Sequence, residues 1–148
     1  MENHSQRDRI FLLYGKAAFH AQLLEESFIQ LLLDSKWTTD VMLAAEVQEH
    51  EKKLRKLTLG QLVIEFKKLY RVSDDSGLSK YLKWITDKRR NKLVHHFFIH
   101  EFTFHREWGS TFQDEERTLQ QTLIELEQAT NLVNQFREQA EADKRKLK

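Results

Sequence analysis

An all-α fold, one up-and-down helical bundle of about five helices, follows from three features of this sequence. Proline is absent and glycine occurs only 4 times in 148 residues, so the main helix breakers and the usual turn residues of β-rich folds are missing. Apolar residues recur in alternating steps of three and four, the spacing of one helix face. The composition, 40% hydrophobic and 32% charged, is that of a soluble helical protein. A chain of this length makes one domain and buries roughly 70% of its unfolded surface, enough for a core without staples. The ordered core is expected over residues 8–136, with a charged tail over 140–148.

The first helix is expected from Asp8 to Leu33, a rod of about 39 Å. Tyr14, Ala17, Ala21, Leu24, Phe28 and Leu31 form its stripe, and Leu12, Phe19 and Leu23 widen it. Glu25 and Glu26 sit beside the stripe. A solvated face is the simplest reading for them, and a role near the motif described below is the alternative. Asp34 to Thr39 is the expected turn. Asp40 is a good N-cap type for a second helix. Val41, Ala44, Ala45 and Val47 give that helix an apolar start, and Gln48 to Lys56 reads as a solvated face rather than a nucleic-acid surface.

Thr58 and Gln61 have the capping-box spacing, which starts a third helix at Leu59. Leu59, Leu62, Val63, Phe66, Leu69 and Tyr70 are its core face. Gly60 either permits close approach or is merely tolerated. Ser73 to Gly77 is the clearest loop. A fourth helix is expected from Leu78 to near Phe102, with Leu78, Leu82 and Ile85 on one apolar face and Leu93, Val94 and Phe97 on a second. Phe104 to Phe112 reads as irregular and aromatic. Ser110 and Thr111 then cap a last helix, with Asp114, Glu115 and Glu116 at its positive end. Leu119, Leu123, Leu126, Thr130, Val133 and Phe136 continue the helical stripe, and the chain after Ala140 is expected to fray.

The formal charge is only +1, so attraction to nucleic acid has to come from local clustering. Cysteine is absent, which excludes disulfides and thiolate metal sites and fits a reducing compartment. The polar start, Met1 to Arg9, has no apolar signal core, and no apolar run approaches the ~20 residues of a membrane span. A cytoplasmic protein without membrane contact is the expectation.

The clustering lies in Asp87-Lys88-Arg89-Arg90-Asn91-Lys92-Leu93-Val94-His95-His96-Phe97-Phe98. On an α-helix Asn91 and His95 are four residues apart, about 40° from alignment, on one face. Arg90 and His95 are about 140° apart, a gap that a long arginine can span by swinging its guanidinium back. The three can line one groove, most easily one shared with another helix or subunit.

Arg90-Asn91 followed by His95, in a late helix of an all-helical chain, resembles the HEPN superfamily, the higher eukaryote and prokaryote nucleotide-binding domains. The family signature is an Arg and, after roughly four to six residues, a His. Tyr14-Gly15-Lys16-Ala17-Ala18 through Leu23-Leu24-Glu25 and Thr58-Leu59-Gly60-Gln61-Leu62 are compatible with it. Phe97 stands where many HEPN toxins carry Tyr, so this chain lacks a hydroxyl there. The resemblance implies a metal-independent endoribonuclease acting as a symmetric homodimer, in the role of a toxin or defence effector. It further implies a protein antitoxin, such as a small nucleotidyltransferase, as partner.

The residue types suit that chemistry. Cleavage by a 2′-hydroxyl needs a base, an acid for the leaving 5′-oxygen, and a cation for the phosphate charge. Histidine, the residue type at position 95, is suited to moving a proton near neutral pH. An arginine such as Arg90 is always charged and can grip two phosphate oxygens at once. Asn91 holds the imidazole or touches the phosphate. Lys88, Arg89 and Lys92 are candidate RNA contacts. A non-catalytic module holding RNA, a nucleotide or a protein partner is the competing reading. A bundle with Arg90 as a surface residue and His95 at an interface is the plainest one.

No metal or cofactor is expected. His96 and His100 share a helical face, but His100-Glu101-Phe102-Thr103-Phe104-His105 is one residue too long for a zinc-protease motif. There is no Gly-rich phosphate loop and no Ser-His-Asp signature. Phe97, Phe98, Phe102, Phe104, Trp108 and Phe112 exceed what one helix turn buries, which points to a two-fold homodimer near the Arg90–His95 region.

Overall fold

Two long helices carry the architecture, α1 (Glu2–Thr39) and α5 (Trp108–Lys146). Between them come α2 (Ala44–Arg55), α3 (Leu59–Tyr70) and α4 (Gly77–Trp84), the last continued by a π-helical turn, Ile85–Arg90. The computed structural model describes residues 2–39, 44–91, 93 and 108–146, and side chains within 6–35, 44–91, 93 and 114–143. Among the described residues there are five α-helices and no strand. The protein is an all-α bundle, and no described helix is long and apolar enough to cross a membrane.

Helix directions follow from the side-chain pairs. Arg9 meets Glu116 and, eleven residues further along each helix, His20 meets Glu127. α1 and α5 therefore run parallel. Eleven residues are close to three whole turns, so the same faces meet again. Their seam includes Ile10, Ala17, Ala21, Leu24 and Phe28 from α1 and Leu119, Leu126, Ala129 and Val133 from α5, all buried. The remaining helices alternate in direction. Arg55, at the end of α2, reaches Glu26. α3 runs with α1: Phe66 packs on Phe28, and the Tyr70 and Ser35 hydroxyls share a 2.7 Å hydrogen bond. α4 and the π turn come back, ending with Arg90 at Glu25. Up-and-down order with an odd number of helices makes the first and last parallel.

An aromatic knot joins α1, α3 and α5. Phe28, Phe66, Tyr70 and Phe136 have neighbouring ring centroids 5.0–5.6 Å apart. Most of these pairs are edge-on, the arrangement favoured by ring quadrupoles and worth about 0.5–1.5 kcal/mol each beyond area burial.

Local signals set the start of α3 and α4. The Gln61 N–H donates to Thr58 Oγ1 at 3.3 Å and the Thr58 N–H to Gln61 Oε1 at 2.9 Å, so the capping box is formed. Ser76 caps α4 by accepting from the Ser79 N–H at 3.1 Å. Arg71 ends α3 in the left-handed region, with φ 54°. Gly60 is tolerated rather than required: a Cβ there would lie 3.7 Å from Thr86 Cγ2, an ordinary contact.

Several boundaries differ from expectation. α1 runs through Asp34–Thr39 instead of turning there. That stretch contains no Gly or Pro, and Ser35 is buried against Tyr70. Leu12 and Phe19 (each 59% exposed) and Leu23 (37%) do not widen the core stripe. Phe19 lies about 200° round the helix from Ala17 and from Ala21, opposite the α5 seam. Ala44 and Ala45 are exposed, and α2 instead buries Leu54. Gly77 opens α4 and is not part of the loop. α5 begins at Trp108, so Ser110 and Thr111 lie inside it, and Trp108 to Phe112 is helical rather than irregular. The tail stays helical to Lys146, as Glu, Ala, Lys and Arg are good helix formers.

Candidate functional site

The basic motif enters on the π turn. The Asn91 N–H donates to the Thr86 carbonyl, five residues back instead of four. Thr86 is buried, and its hydroxyl donates to the Leu82 carbonyl at 2.8 Å, a side-chain bond that competes with the backbone ladder. Short π turns of this kind recur at functional sites because they re-aim the side chains they carry.

Here the turn aims two adjacent arginines at two different helices. Arg89 reaches α5. Its Nε donates to Glu125, its Nη2 lies 3.3 Å from Glu125 Oε1, and its guanidinium sits over the Trp84 ring at 5.4 Å. The Trp84 indole N–H donates to the same carboxylate at 3.3 Å and Gln121 Nε2 at 3.1 Å. Burial pushes the Glu125 carboxyl up, but the hydrogen bonds from Arg89, Gln121 and Trp84 outweigh it and hold the group below its usual value.

Arg90 reaches α1. Its Nε lies 2.8 Å and its Nη2 2.6 Å from Glu25 Oε1. Its Nη1 donates to Asn91 Oδ1 at 3.0 Å. The Arg90 side chain is only 16% exposed and that of Glu25 26%. A guanidinium bound on one edge by a carboxylate and on the other by an amide has a fixed plane. A phosphate arriving at this arginine meets Glu25 as its competitor for Nε and Nη2.

The structure thus brings Arg90 and Asn91 together and adds Glu25, which takes the role near the motif rather than a solvated one. Asn91 orients the arginine. Arg89 is turned to α5, and Lys88 is exposed on the outer surface. Lys92 and His95 lie outside the described residues. So do His96, His100, Glu101, His105 and the aromatics Phe97, Phe98, Phe102 and Phe104. Among the described residues no group of three His, Asp or Glu side chains could hold a metal ion.

Glu125, Trp84 and Thr86 are the participants that sequence reasoning missed. Trp84 carried a visible signal, an indole set among lysines on an otherwise polar face. Glu125 carried none, because it is one acidic residue among several on α5. No family model matches the chain, and no curated protein or solved structure matches it.

Proposed function

We propose that this protein is a HEPN-like, metal-independent endoribonuclease that cuts RNA by 2′-hydroxyl attack. Arg90 clamps the scissile phosphate, Asn91 holds the Arg90 guanidinium in plane, and His95 moves the proton. The observation that carries the reading is the Arg90 side chain, held on both edges before any ligand arrives. Its plane is fixed by Asn91 and by a carboxylate that an oxyanion can replace. Lys88 and Lys92 supply local positive charge in a chain of formal charge +1. Two copies related by a two-fold axis would bring two sets of these groups together. The role is that of a cytoplasmic toxin or defence effector, restrained by a protein antitoxin such as a small nucleotidyltransferase.

A second reading is a non-catalytic module that holds RNA, a nucleotide or a protein partner at the same place. The Arg90–Glu25 pair favours it, since it balances the clamp charge in the free protein. Labelled RNA incubated with the purified protein in EDTA separates the two. Cleavage leaving 2′,3′-cyclic phosphate or 3′-phosphate ends supports the nuclease. Salt-dependent binding without cleavage supports the module. The absence of both cleavage and binding removes the nuclease and leaves only a module for a nucleotide or a protein partner.

A further inference from the structure

Trp84 is the last residue of α4 and is 46% exposed. It is nevertheless fixed in orientation. Its indole N–H is tied to Glu125 at 3.3 Å, and the Arg89 guanidinium lies over one face of its ring at 5.4 Å. A surface tryptophan with no task has no need of two polar anchors. Lys80 lies one helical turn before it, Lys83 is the preceding residue, and Lys88 is four residues after it. All three are exposed. Among the described residues none forms an ion pair with these lysines. Asp87 is the sole acidic residue from Lys80 to Arg90. An immobilised indole framed by free cations, in a chain of formal charge +1, is a local excess that suits a polyanion carrying flat rings.

We infer that Trp84 is a base-stacking platform and that the RNA this site takes is single-stranded. Lys80, Lys83 and Lys88 hold its phosphates. The inference rests on the RNA reading above and narrows it. A base in a duplex has both faces stacked on its neighbours, and only an unpaired base offers a face to a side chain. Trp84 touches Arg89, and Arg89 is joined to Arg90 in the chain. Because Arg89 turns to α5 and Arg90 to α1, a strand whose phosphate sits on Arg90 reaches the indole by crossing the π turn from the α1 side to the α5 side. The contact reads base flatness rather than base edges, so it gives strand selectivity with little sequence preference.

The test uses a fluorescent oligoribonucleotide with 2′-O-methyl groups throughout, which has no attacking hydroxyl and stays intact. Anisotropy titrations compare it as a single strand and annealed to its complement. The protein is wild type, Trp84→Phe, Trp84→Leu or Arg90→Ala, each checked for unchanged helical circular dichroism. Leu keeps the bulk of the site without a ring, and Phe keeps a ring without the N–H. The expected result is a single-strand preference in wild type, affinity lowered about tenfold by Trp84→Leu, and most of it kept by Trp84→Phe. Replacing Lys80, Lys83 and Lys88 together by Gln should flatten the salt dependence. Equal binding by wild type and Trp84→Leu, with Arg90→Ala weakened, overturns the platform and leaves the RNA reading standing. Duplex bound as tightly as single strand overturns the strand preference. No binding by any form removes the RNA reading itself.

Discussion

Glu25 on α1 holds Arg90 on the π turn, with Oε1 2.8 Å from Nε and 2.6 Å from Nη2, across sixty-five residues of chain. The pair ties the returning helix to the first one and occupies the edge of the guanidinium that a phosphate would use. Structure and binding therefore compete for one group. Glu25→Gln should lower stability by about 1–2 kcal/mol, because a charge-assisted bond at a partly exposed site is weakened. It should also raise RNA affinity several-fold by releasing the clamp. Urea unfolding and anisotropy on the same preparation check both; lower stability with unchanged or weaker RNA binding would sink the competition.

Cleavage itself is the next measurement. His95→Ala should lower the rate by about 10² or more through loss of proton transfer. Arg90→Ala should cost a similar factor through lost charge stabilisation. Asn91→Ala should cost less, since it orients and does not react. His96→Ala should be mild. Single-turnover rates on a labelled RNA decide it, and equal rates for wild type and a folded His95→Ala would remove the nuclease reading.

Two backbone positions allow stabilisation without replacing a residue of the site. Gly60→Ala places a methyl group in ordinary contact with Thr86 and gains helix propensity, about 0.5–1 kcal/mol. Arg71→Gly relieves a side chain held at φ 54° and should gain a similar amount. Thermal melts should rise in each variant, and a fall in either would mean that its neighbours are less accommodating than the geometry indicates.

Acid should act through the carboxylates held low, Glu26 and Glu125 and, at the surface, Asp74 beside Lys67. Arg55 binds Glu26 with both Nη atoms, at 2.7 and 2.9 Å, and its hydrogen bonds hold the Glu26 carboxyl down to about 2. A depressed carboxyl adds stability above its unfolded value, near 4.5, and that contribution is lost as pH falls towards about 2. Glu125, also held low, acts in the same direction. Both partners of the Arg55–Glu26 pair are over two-fifths exposed, so screening limits its share to about 1 kcal/mol or less. Denaturant midpoints at pH 7 and pH 3 should converge between wild type and Arg55→Ala as the acid side is approached. A difference that stays constant across that range would exclude this origin.

Assembly is the last test. A two-fold homodimer should appear in light scattering at micromolar concentration, with Arg90→Ala and His95→Ala remaining dimers. A monomer for wild type would leave the site without its second set of groups.

The bundle was legible where its determinants are local. Thr58 and Gln61 announce α3 within four residues of sequence, and Ala17, Ala21, Leu24, Phe28 and Leu31 mark a seam that is buried as read. Leu12, Phe19 and Leu23 misled because apolarity does not say which side a neighbour covers. Asp34–Thr39 looked like a turn by its polar residues, yet nothing in it stops a helix. In the site, Arg90 and Asn91 were visible as a pair because they are adjacent. Their partner Glu25 was visible only as an alternative, since which acid meets which base depends on how two helices slide past each other. The π turn left no mark in the apolar spacing, being a change in hydrogen bonding that the buried Thr86 accompanies.

That turn is a difference of length and not of residue type. Most single substitutions between Ile85 and Arg90 leave the residue count intact and so leave the extra residue in its loop of backbone. Removing one codon, for Asp87 or Lys88, would let the segment relax to ordinary helical winding, which takes up the lost residue and leaves the helix beyond it nearly in register. Single-residue deletions at the exposed positions of this turn should therefore be tolerated better than deletions in the α-helical turns on either side of it. For folding, exposed Asp87 and Lys88 should accept almost any replacement, and the loss of either one should be absorbed by the turn, which circular dichroism and a thermal melt of each deletion would check.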